Sequence, residues 1–153
     1  MPPESNLWQF ALKTYQRPGV AELLLRWQDE QQVSINLVLW LLWLERRGQV
    51  ISARLLQQAQ QRITTWHQQN TRPLRQMRRQ LKAGGLNDLA LAGFYKQLKA
   101  AELAAEKVEL QWLANLVPEA VGPALALGSN IRDYLLALGV DAAQQHALLD
   151  LIR

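Results

Sequence analysis

A chain of 153 residues, 49% hydrophobic and 20% charged, has the make-up of one globular domain with a single buried core, not of a disordered segment or of two domains. It has no cysteine, which excludes disulfides, thiol nucleophiles and Cys-based metal sites and fits the cytoplasm. Its formal charge is +4, and the start MPPESNLWQF lacks a cationic stretch followed by an apolar one, so no secretory signal is expected.

Start and stop residues divide the chain into helices. Ser5 is placed to cap a first helix running to about Gln16. Arg17-Pro18-Gly19 breaks it, and Pro18 suits the first turn of a second helix ending near Gln31. Ser34 caps a third, closed by Gly48 after Glu45-Arg46-Arg47. Ile35 to Leu44 is apolar in every direction around a helix, so this element must be surrounded by others. At ~1.5 Å per residue it covers only about 15 Å, half a bilayer core, which predicts a core helix and no membrane span. Asn36 is its one polar residue, on the side of Trp40 and Trp43, and is expected to be buried and hydrogen-bonded.

Ser52 caps a long fourth helix, kinked or divided by Pro73 and ended by Gly84-Gly85. A fifth runs from about Asp88 to Val117, and two short helices capped by Ser129 and Asp141 follow. No stretch alternates with the period of a strand. The expected fold is all-α: a single-domain bundle core over residues 1–117 around the central apolar helix 35–47, a connector 118–128, and a C-terminal helical hairpin 129–153 packed on the same domain.

Several stretches resemble a bacterial family of unknown function, DUF2390. They are Tyr15-Gln16-Arg17-Pro18-Gly19-Val20-Ala21, Trp27-Gln28-Asp29, Ile35-Asn36-Leu37-Val38-Leu39-Trp40, Pro73-Leu74-Arg75 with Arg78-Arg79-Gln80-Leu81-Lys82, and Ala101-Glu102-Leu103-Ala104-Ala105-Glu106. The resemblance covers roughly Leu7 to Leu113 and implies a small cytoplasmic protein of proteobacterial type, with no catalytic residue attached. The family pattern has a glycine near Gln32 that this chain lacks, so the turn before Ser34 is expected to differ.

Charge is distributed unevenly. Between Arg54 and Lys99 there are nine basic residues and one acid, Asp88. If the fourth helix continues past Pro73, Arg72, Arg75, Arg79 and Lys82 fall within roughly 80° of one another, with Arg78 at the margin. Ile63, Trp66, Leu74, Met77 and Leu81 then form the opposite, buried face. Such a stripe is a solvated face, a partner for carboxylates within the chain, or a contact surface for an external anionic partner, an acidic protein or RNA. In the fifth helix Glu102, Glu106 and Glu109 share one line flanked by apolar residues, and helices joined by a short turn bring that line toward Arg75 and Arg79.

Motifs for other chemistries are missing. The chain has no phosphate-cradling glycine loop, nucleophile elbow or His-Glu-x-x-His, and His67 and His146 stand apart from any ligand pattern, so no metal or cofactor is expected. The acidic tail helix argues for a plain hairpin and against a DNA-reading one. The expected function is a non-enzymatic interaction or adaptor protein whose Arg72, Arg75, Arg78, Arg79 and Lys82 contact an acidic protein or nucleic acid. The alternative is an enzyme or small-anion binder with an inter-helix network of Asp29, Asn36, Glu102 and Glu106 beside Arg75 and Arg79. Nothing in the pattern speaks to oligomeric state.

Overall fold

The computed structural model describes residues 6–116, 120–121 and 128–153. Helix α1 (Leu7–Tyr15) is capped by Asn6, whose side chain accepts from the Trp8 N–H at 2.8 Å. The expected cap, Ser5, lies outside the described residues. Helix α2 (Val20–Gln31) starts at Gly19 with φ +83°, so Pro18 sits in the preceding turn and not in the helix. A Cβ on Gly19 would come within 3.1 Å of Leu151, which adds a packing reason for glycine there.

Helix α3 (Ile35–Arg46) is capped by Ser34, whose hydroxyl accepts from the Leu37 N–H at 3.2 Å. Every residue from Leu37 to Glu45 is buried, Trp40 completely and Trp43 nearly so. An all-round apolar helix needs neighbours on all sides, and α1, α2 and α6 supply them. Asn36 departs from expectation. It is half-buried and makes no side-chain hydrogen bond among the described residues, because it faces a cavity.

After Gly48, β1 (Gln49–Val50) pairs antiparallel with β2 (Ala120–Val121). Two residues per strand are too few to leave an alternating pattern, so this pairing was invisible in the sequence. Helix α4 (Ala53–Trp66) is capped by Ser52. A π-helical turn (His67–Thr71) leads directly into α5 (Arg72–Ala83). Helix α6 (Leu89–Ala114), capped by Asp88, returns antiparallel along α5 and packs on α4, α3 and α1. It stops at Ala114, three residues before the expected end at Val117, which lies outside the described residues.

Of the expected connector 118–128, only β2 and Gly128 are described. Helix α7 (Arg132–Ala137) starts after Ile131, so Ser129 is not its cap, whereas Asp141 and Gln144 form a capping box at α8 (Ala142–Ile152). The two helices form a hairpin whose Ile131, Leu135, Leu148 and Ile152 join the main core. Polar ties reinforce it: the Ser34 N–H donates to the Tyr134 hydroxyl at 2.9 Å, and Arg17 donates to the carbonyls of Ile152 and Arg153, both at 2.7 Å. Burial pushes the Tyr134 hydroxyl up to about 12. Among the described residues the protein is all-α apart from the β1–β2 pair, and no helix is long and apolar enough to cross a membrane.

Candidate functional site

The site originates in the passage from α4 to α5. Pro73 has no N–H, and its ring excludes the carbonyl four residues back, so a regular α-helix cannot pass through it. The chain answers with a wider turn in which the Arg72 N–H donates to the His67 carbonyl, five residues back. In an α-helix a spacing of four drifts about 40° per step; the wider turn takes up this drift. Ala59, Ile63, His67, Thr71 and Arg75 therefore all lie on the inward side, with Arg78 one short turn later.

This changes the face that α5 presents. Of the five cations expected on one outward stripe, Arg75 and Arg78 turn inward, with side-chain exposures of 11% and 22%. Met77, expected in the buried face, is instead 48% exposed, and no residue of α5 is fully buried. Ile63 is buried as expected, Leu74 and Leu81 are half-buried, and half-buried Trp66 donates its indole N–H to the Ala105 carbonyl at 3.0 Å.

The inward arginines meet the glutamates of α6. Arg75 donates to Glu102 at 3.2 Å and to Glu106 at 3.1 Å, bridging the two. Arg78 donates through Nε to the second oxygen of Glu102 and through a terminal nitrogen to the first. Guanidinium forks suit such shared carboxylate contacts. One turn deeper, completely buried Glu109 accepts from the Thr71 hydroxyl at 2.5 Å and from His67 Nδ1 at 3.2 Å. Burial raises the Glu106 carboxyl above its ordinary value; Arg75 works against that rise, and the charges of Glu102 and Glu109 add to it. Burial and the nearby Glu106 raise the Tyr15 hydroxyl too.

Two cavities open at this cluster, both bordered by Gln28, Ser34, His67, Arg75 and Arg79. One, of about 490 Å³, lies toward α4 and α7. The other, of about 420 Å³, is enclosed by α1, α2, α3, α5 and α6 and receives Tyr15, Asn36, Glu102 and Glu106. Asp29 does not join the network: it is exposed, borders the first cavity, and pairs with half-exposed Arg79 at 3.3 Å. Among the described residues no group of three or more His, Asp or Glu could hold a metal ion.

Exposed Arg72, which borders the larger cavity, and exposed Lys82 remain on α5 beside Arg79, and α6 adds exposed Lys96 and Lys99. At ~100° per residue these positions fall on the side of the α5–α6 hairpin where Arg79 and Leu103 border the smaller cavity. Leu89, Leu91, Phe94 and Met77 are also exposed on these two helices.

Sequence reasoning missed two features. The Glu109–His67–Thr71 contact escaped because His67 was read alone; its signal was the shared line of Glu109 with buried Leu98 and Leu113. The second is Glu45, buried at the end of α3, which accepts from the Gly128 N–H at 2.7 Å and the Asn130 N–H at 2.9 Å. Burial raises its carboxyl against the lowering effect of those amides.

A family model described as a protein of unknown function (DUF2390) matches residues 6–113, which include every residue of the arginine–glutamate cluster. No curated protein and no solved structure matches the chain.

Proposed function

The chain belongs to the DUF2390 family, and we propose that it is a non-enzymatic cytoplasmic interaction protein whose α5–α6 hairpin receives an acidic protein partner. The observation that carries this reading is the run of exposed or half-exposed cations Arg72, Arg79, Lys82, Lys96 and Lys99 on two adjacent helices, where Asp88 in the connecting turn is the lone acid of the segment. Arg75 and Arg78 are neutralised inside the cleft, so the contact surface shifts from α5 alone onto both helices. A protein partner is favoured over nucleic acid by the exposed Leu103 and Leu89 alongside the cations. Interfaces between proteins combine an apolar centre with a charged rim, whereas phosphate backbones need charge alone.

Fluorescence anisotropy with a labelled acidic amphipathic helical peptide and a labelled RNA of similar length tests the reading. Salt-sensitive binding of the peptide, lost in a Lys82→Glu/Lys99→Glu double variant, is the expected outcome. Preferential RNA binding that weakens equally across sequences in the variant would transfer the surface to nucleic acid. Binding of neither probe at micromolar protein removes the proposal.

A further inference from the structure

The smaller cavity has a charge balance that the hairpin surface does not share. Three carboxylates (Glu102, Glu106, Glu109) face two guanidiniums (Arg75, Arg78), and the third arginine on the border, Arg79, is paired with Asp29, so one negative charge is in excess among these groups. All three arginines already hold carboxylates, Arg79 that of Asp29, so an incoming anion would add to that excess. Unused hydrogen-bonding capacity has the same sense. The side-chain oxygen Oε1 of Gln28 is shut off from solvent and has no partner, and the Asn36 amide and the Oε2 oxygen of Glu106 make no hydrogen bond among the described residues. Leu12, Leu25 and Leu39 add apolar lining.

We propose that this cavity binds a small organic cation, a primary alkylammonium, with the ammonium on Glu106 and the chain along Leu12, Leu25 and Leu39. An ammonium carries three donors, enough for the Glu106 carboxylate and the Asn36 side-chain oxygen, and its charge cancels the excess. A volume of about 420 Å³ suits a short aliphatic chain and falls in the range of small-molecule sites. The cavity shares Arg79 and Leu103 with the outer surface of the hairpin, but the ammonium site uses neither of them.

Isothermal titration calorimetry of the full chain with n-hexylammonium, sodium hexanoate and 1-hexanol separates charge from apolar contact. Saturable binding of hexylammonium is expected, with neither hexanoate nor hexanol saturating at the same concentrations. Glu106→Gln, which keeps the shape and removes the charge, weakens hexylammonium about tenfold or more, the loss of one charge-assisted hydrogen bond. Asn36→Asp, which adds a carboxylate to the same wall, strengthens it and supplies the test should Glu106→Gln not fold. Absence of hexylammonium binding at millimolar concentration, tighter binding of hexanoate, or affinities unchanged in both variants would overturn the assignment.

Discussion

At Gln32 the backbone is left-handed, with φ +56° and ψ +35°, a conformation that crowds the Cβ of any residue but glycine. The side chain is exposed and makes no hydrogen bond among the described residues that would offset the strain. Gln32→Gly is expected to stabilise the fold by about 1 kcal/mol, read as a rise in urea midpoint with an unchanged slope. Glu106 gives a second residue-scale prediction with its own sign. Its carboxyl is raised above 4.5 in the folded state, first by burial, so the fold holds the proton more tightly than the unfolded chain does. Its contribution is therefore most favourable below the ordinary carboxylate range and is lost as pH rises through the folded value. In thermal melts from pH 4 to 8, the melting temperature of Glu106→Gln relative to the native chain should climb with pH and then level off. A difference that falls with rising pH would contradict the burial argument.

Elements differ in how far the sequence anticipates them. Helix α3 was legible because nothing but surrounding helices can satisfy Ile35 to Leu44, and the caps Ser34, Ser52, Asp88 and Asp141 fix starts by local hydrogen bonds alone. The partners of the glutamate line could be narrowed to α5, since a short turn joins the two helices. Arg75, one of the two arginines expected to meet it, does; that Arg78 and not Arg79 is the other depends on the π turn, a compromise between Pro73 and packing on α6. The shift in face also separates two cations close in sequence. Arg75→Ala leaves Glu106 without its cation and is expected to cost roughly 3 kcal/mol, whereas exposed Arg72→Ala should stay within about 0.5 kcal/mol. Chemical denaturation of the pair measures the contrast; equal effects would mean that the bridge to Glu102 and Glu106 contributes nothing.

Across the whole molecule, the segment beyond the family match is part of the main core. Ile131, Leu135, Leu148 and Ile152 pack into it, while Asn130 donates to the Leu41 and Gln49 carbonyls and accepts from the Ile51 N–H. Glu45 depends on the same segment, since the Gly128 and Asn130 amides are its partners. A chain cut after residue 116 would leave that carboxylate without them and bare one side of α3. Such a truncation is expected to lose its cooperative thermal transition and to bind a hydrophobic dye, as followed by circular dichroism and fluorescence. A sharp transition near that of the full chain would show that residues 6–116 stand alone.

The bond from Ser34 to Tyr134 crosses 100 positions of chain, and this sets a timetable. At about 5–20 residues per second, translation makes Tyr134 roughly 5–20 s after Ser34. Throughout that interval the most apolar helix of the protein has left or is leaving the ribosome without its full cover. Nascent chains of this protein should therefore be clients of ribosome-associated chaperones, which recognise exposed apolar segments, until the last of α8 has been made.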